Sequence, residues 1–189
     1  MSNKKKSGGI TTVKGLILFV IIFAISYVVF RYVITRTVVD GNSMYPTLHN
    51  GDSLIVTRQI RNFERFDIVV FQSDVKTDEY IIKRVIGLPG ENVYIDKDSV
   101  IYINGELLEE HYGAAVLTDG GRAAEDGGVT LGDDEYFVMG DNRNRSEDSR
   151  FELIGNVNKK DIIGKVIVRI WPLDSAGYVD LYLERNPVK

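Results

Sequence analysis

The chain has no cysteine among its 189 residues, which excludes a disulfide framework, a thiol nucleophile and a thiolate metal site. Histidine is almost as scarce. Only His49 and His111 occur, neither in a ligand spacing such as His-Glu-x-x-His, so both read as surface residues and no metal centre is expected. Two isolated imidazoles make a Ser-His-Asp triad hard to build, and an activated serine here needs another base. An excess of positive charge is also missing: 23 Lys and Arg against 27 Asp and Glu leave a net charge of −4. Without a basic stripe, nucleic acid is a poor partner.

One long apolar run is present. Leu16 to Phe30 is apolar except for Ser26, and counted out to Ile34 it reaches the roughly 20 residues that cross hydrocarbon. Tyr27 and Tyr32 lie near its far end, where interfacial aromatics belong, and Arg31 at the edge can snorkel outward. Lys4, Lys5, Lys6 and Lys14 precede it. The expectation is a cytoplasmic N-terminus (1–14), one transmembrane anchor (15–34) and an extracytoplasmic remainder in the cell membrane. No small-x-small cleavage site follows the run, so the anchor is read as uncleaved.

Beyond Arg36 the pattern changes to short runs rich in β-branched and aromatic residues: 37–39, 53–57, 68–71, 79–86, 92–95, 100–103, 136–139 and 162–171. Gly, Asp and Asn punctuate them, which predicts a mainly β body. Residues 93–103 read as a hairpin about a four-residue turn, and Asn104-Gly105 marks another turn. From Glu109 to Asp134 the composition shifts to Gly, Ala, Asp and Glu, read as a solvated loop or small inserted subdomain outside the core. The segment 174–189 has weak periodicity and no assigned role.

Two segments carry chemistry. Gly41-Asn42-Ser43-Met44-Tyr45-Pro46-Thr47-Leu48 holds a serine in a tight loop, and Tyr80-Ile81-Ile82-Lys83-Arg84-Val85-Ile86 holds a lysine in an apolar strand. Alternation puts Ile81, Lys83 and Val85 on one sheet face. A lysine near its free pKa of ~10.4 is protonated and useless as a base, whereas burial lowers that value by up to roughly 3–5 units. Taken singly, Ser43 is an ordinary turn serine and Lys83 an ordinary edge-strand lysine. A third segment, Met139 to Arg150, is polar and lacks the spacing of a helix-loop-helix calcium site. Its guanidinium and carboxylate groups suit bidentate bracing.

Four segments in order then carry a resemblance: Ser43-Met44-x-Pro46-Thr47-Leu48; Arg65-Phe66-Asp67-Ile68-Val69-Val70-Phe71; Lys83-Arg84-Val85-Ile86-Gly87-Leu88-Pro89-Gly90; and Gly140-Asp141-Asn142-Arg143-x-x-Ser146-x-Asp148-Ser149-Arg150. With the apolar run before them, the chain resembles the type I signal peptidases of the single-span Gram-positive kind. The resemblance implies an extended antiparallel β-sheet catalytic domain (35–173) with a small inserted β subdomain (about 92–135), one transmembrane helix before it and a tail (174–189) after it. It implies a serine endopeptidase in which Ser43 is the nucleophile and Lys83 the general base. Ser146 would orient the lysine, Asp148 and Arg150 would form a supporting ion pair, and Asp141 and Arg143 would be structural. No cofactor is implied.

By the same resemblance the partners are the signal peptides of exported preproteins, the lipid bilayer and the protein-export machinery. Val39, Met44, Leu48, Val70 and Ile82 would wall shallow pockets for small side chains at the −1 and −3 positions, because larger ones clash. Two departures stand out. Gly41 occupies the place where Gram-negative relatives carry an oxyanion-binding serine, which leaves the Ser43 backbone N–H as one donor and the second open. Phe66 stands where the pattern has glycine before Asp67. The competing readings are a specialised peptidase or an inert assembly factor serving pilus or surface-protein assembly, and the presence of both Ser43 and Lys83 opposes the inert one. A soluble self-cleaving repressor is opposed by the apolar run and the lack of a DNA-binding module.

Overall fold

A computed structural model of the chain describes residues 8–28, 33–60, 62–73, 79–110, 112 and 117–179, with helix side chains described from Val13 onward. The basic residues before Gly8, Arg31, Tyr32, His111 and the tail beyond Val179 lie outside them.

Helix α1 (Gly8–Val28) leads into strands β1 (Ile34–Val38), β2 (Ser53–Thr57), β3 (Ile68–Gln72), β4 (Tyr80–Gly87), β5 (Asn92–Ile95), β6 (Ile101–Ile103), β7 (Glu106–Leu107), β8 (Val129–Thr130), β9 (Glu135–Met139), β10 (Val157–Asn158), β11 (Ile162–Trp171) and β12 (Gly177–Tyr178). The fold is mainly β and antiparallel, as expected. The larger sheet runs β1-β2-β11-β3-β4-β9-β10, with β12 beside β11; the smaller runs β7-β6-β5-β8.

The apolar segment differs from the expected 15–34 span at both ends. The helix begins at Gly8, and Ile34 is already paired with Thr57 as the first residue of β1. The alternating, β-branched Ile34-Thr35-Arg36-Thr37-Val38 favours a strand over a helix end. Among the described residues no helix is long and apolar enough to cross a membrane.

Among the described residues, three hydrophobic clusters form the interior. One gathers Val39, Met44, Leu48, Leu54, Val56, Ile68, Val70 and Ile82 beneath the serine loop. Another, including Phe63, Val69, Phe71, Val85, Tyr136 and Val138, uses alternate residues of β3, β4 and β9, the period-two consequence of a sheet buried on both faces. The remaining cluster joins the small sheet to β4 and β9 through Ile86, Val93, Ile95, Phe137 and Met139.

That last cluster corrects the reading of 109–134 as lying outside the core. Leu117, Ala123, Val129 and Leu131 are buried in it; four apolar residues scattered through a polar stretch show no period, yet suffice to pin an irregular segment. The tail also contributes, since Val179 is buried against the cluster under the serine loop.

Candidate active site

Strand β4 places Lys83 in the interior. It pairs with Val69 of β3, and Ile81, Val85 and Val69 pack together in one cluster, so the lysine has the apolar neighbours that alternation requires. Only 4% of Lys83 is exposed. Its Nζ donates to Ser43 Oγ at 2.9 Å and to the Ile82 carbonyl at 3.2 Å. Serine and lysine, forty residues apart in sequence, thus stand within proton-transfer reach.

The serine loop is held from three sides. Gly41 N donates to Asn50 Oδ1 at 2.9 Å, with Gly41 at φ +92°, where a side chain is disfavoured. Asn142 N donates to the Ser43 carbonyl at 2.9 Å, and Asn142 Nδ2 to the Asn42 carbonyl at 3.0 Å. Thr47 Oγ1 donates to Asp141 Oδ2. Gly140, just before, has no room for a side chain: a Cβ there would come within 2.5 Å of the Ser43 carbonyl oxygen and closer to Ser146 Oγ.

Arg84, next to Lys83, is buried and grips Asp141 with two bonds of 2.8 and 2.7 Å. It also donates to the Phe66 carbonyl at 2.8 Å, and its guanidinium carbon lies 3.6 Å from the centre of the Tyr112 ring. The loop after β9 is braced by Asp148 and Arg150, both buried and paired at 2.8 and 2.9 Å. Asp148 accepts from Gly140 N at 3.0 Å, and Arg150 donates to the Arg143 carbonyl at 2.6 Å. Arg143 forks onto Glu110 at 2.5 and 2.6 Å. Burial alone disfavours its charge, but the bonds and charge of Glu110, with Asp141 and Asp148, outweigh that and hold the Arg143 pKa above its ordinary value.

Ser43 and Lys83 line an open cleft of about 340 Å³ with Val39, Met44 and Ile82, while Asp40, Glu79, Arg145 and Glu147 stand at the same cleft. All five expected pocket residues pack in one cluster, and Val39, Met44 and Ile82 of them also line the cleft. Ser146 lies on the loop after β9. Its Oγ is buried without a hydrogen-bond partner among the described residues, and it sits against Gly140.

Thr47 and Arg84 lie inside the sequence motifs, which by themselves give them no role. Tyr112 and Glu110 lay in the stretch read as solvated. A buried arginine beside a candidate base was a usable signal for Arg84, since such a charge demands a partner; the Tyr112 contact had no local signature.

The arrangement supports acyl transfer: a hydroxyl beside a buried amine, at an open cleft. The family model described as "Signal peptidase, peptidase S26" matches residues 12–171. A signal peptidase I from Bacillus licheniformis is 39% identical over 95% of this chain and 97% of its own length. A signal peptidase I S from Bacillus subtilis strain 168 is 41% identical over 77% and 81%. A solved signal peptidase I from Enterococcus faecalis is 32% identical, covering 57% of this chain and 98% of its own, with a TM-score of 0.43.

Proposed function

This chain belongs to the signal peptidase family, peptidase S26, and from that membership we propose that it is a membrane-anchored serine endopeptidase that removes signal peptides from exported preproteins. The observation that carries the proposal is the 2.9 Å separation of Lys83 Nζ and Ser43 Oγ at a lysine almost wholly withdrawn from water.

In the proposed reaction Lys83 enters as the neutral amine. Ser43 Oγ attacks the carbonyl carbon of the scissile bond as its proton passes to Lys83 Nζ, giving a tetrahedral oxyanion and an ammonium. The Ser43 backbone N–H faces that oxyanion as one donor. Collapse breaks the C–N bond, and Lys83 returns the proton to the departing amine, which becomes the N-terminus of the mature protein. A water then attacks the acyl-serine carbonyl carbon, giving a proton to Lys83; collapse breaks the C–Oγ bond, Lys83 returns the proton to Ser43 Oγ, and the signal peptide leaves with a new C-terminal carboxyl group. Asp148 and Arg150 brace the loop that carries Ser146 and backs the serine. Val39, Met44 and Ile82 supply the shallow walls that favour small side chains at −1 and −3.

Anchoring at the bilayer is supported by the helix itself. Leu16, Phe19 and Phe23 are 63%, 65% and 66% exposed, a distribution that water penalises and hydrocarbon does not, and the apolar sequence runs on through Val29 and Phe30. With the N-terminus cytoplasmic, protease added to intact spheroplasts should digest the β body and spare the N-terminal segment. A protected β body would overturn that topology.

The activity is tested by incubating the detergent-solubilised chain with a preprotein beside a Ser43→Ala control. Cleavage at the signal-peptide junction that vanishes in the control is expected. It should collapse when Ala at −1 is replaced by Leu or Phe, and equal cutting of all three would remove the shallow-pocket argument.

A further inference from the structure

We propose that Tyr112, on the segment inserted between β7 and β8, is a positioning residue for Ser43 and Lys83, acting by covering the Arg84–Asp141–Thr47 network on which the serine loop hangs. This rests on the proposed peptidase activity and extends it to the segment that bears Tyr112.

Arg84 immediately follows Lys83 on β4, and Asp141 immediately precedes Asn142, which holds the Ser43 carbonyl. The Arg84–Asp141 pair therefore couples the strand carrying the amine to the loop carrying the hydroxyl. Thr47, four residues after Ser43, donates to the same Asp141 carboxylate. The aromatic ring 3.6 Å from the Arg84 guanidinium carbon attracts the cation and covers that face of it, in a pair whose side chains are almost wholly buried.

Tyr112 is itself held in place. Arg143 donates to its carbonyl at 3.4 Å and grips Glu110 two residues earlier. Its ring also meets Phe66 at 5.1 Å between centroids. Phe66 has φ +72°, a left-handed conformation that is a true outlier for a bulky residue and costs about 1–3 kcal/mol. Glycine would take that turn without strain. Phenylalanine there supplies a ring under Tyr112 while its carbonyl accepts from Arg84, a physical return for the strained backbone.

The test uses the full-length chain in detergent and a synthetic substrate with Ala at −1 and −3, comparing wild type, Ser43→Ala, Tyr112→Leu, Tyr112→Phe and Glu110→Gln. Tyr112→Leu should lose at least about ten-fold in kcat, because small displacements of reacting groups are costly, with KM within about two-fold. Tyr112→Phe, which keeps the ring, should recover most of that loss, and Glu110→Gln should lower kcat in the same sense. A Tyr112→Leu kcat within about two-fold of a cleaving wild type overturns the inference alone. So does a loss that Tyr112→Phe fails to restore. Should Tyr112→Leu not fold, Glu110→Gln decides, and an unchanged kcat there overturns the inference. A wild type without Ser43-dependent cleavage overturns the proposed activity and this inference with it.

Discussion

The Asn142 backbone N–H donates to the Ser43 carbonyl at 2.9 Å, joining the segment after β9 to the serine loop across nearly one hundred residues of sequence. The position of the candidate nucleophile therefore depends on a loop that is itself anchored by its side chains: Asp141 to Arg84 and Thr47, and Arg143 to Glu110.

Gly140 is the first test of that dependence. In Gly140→Ala the new methyl must push the Ser43 carbonyl or Ser146 away, an overpacking cost of about 1–3 kcal/mol. Because the displaced group belongs to Ser43, turnover should fall about ten-fold or more, beyond what the melting shift explains. Melting curves and preprotein cleavage measured together check this, and an unchanged kcat in a destabilised protein would show the loop and the serine to be uncoupled.

Lys83 is expected to act only as the neutral amine. Lys83→Ala should abolish cleavage and Lys83→Arg should fail as well, since arginine stays protonated. The rate should rise with pH until the amine is neutral and then level off. A pH-independent kcat/KM from mildly acid to alkaline solution would count against a lysine base.

Removing either member of the Asp148–Arg150 pair leaves a buried charge alone, at about 3–5 kcal/mol. Asp148→Asn and Arg150→Ala should each lower the denaturation midpoint sharply and depress activity with it. The double variant should lose less than the two losses summed, because its second change removes the orphaned group. Strict additivity in this cycle would show that the two side chains do not support each other.

Glu135 supplies a pH dependence of stability. The backbone N–H of Gly132, then the Asn156 side chain, hold its pKa below the ordinary 4.5 against a smaller opposing effect of burial. A depressed folded pKa means the unfolded chain takes up the proton more readily, so this stability is complete above 4.5 and is lost as pH falls through the folded value. Urea midpoints taken on either side of that window should fall toward acid, and in Glu135→Gln the fall should shrink. An identical fall in the variant would assign the acid sensitivity to other groups.

Much of the strand pattern was legible in sequence. The runs at 53–57, 92–95 and 162–171 are the observed β2, β5 and β11, because alternation, β-branching and turn residues act over a few neighbours. Lys83 among apolar residues, and Ser43 in a Gly-preceded loop, were conspicuous for the same local reason. The short strands β8 and β10, two residues each, have too little length to show a period.

Sequence by itself thus determined the strand-forming runs, the apolar N-terminal segment and the candidate serine and lysine, all of them local choices of residue type. Tertiary structure alone decided how they meet. Arg84 reaches Asp141 across 57 residues and Thr47 reaches it across 94. Tyr112 comes to lie on Arg84, and Leu117 and Ala123 are drawn from a polar stretch into the core. Such contacts are selected by chain closure and the need to satisfy a buried charge, conditions that exist only once the sheets have packed.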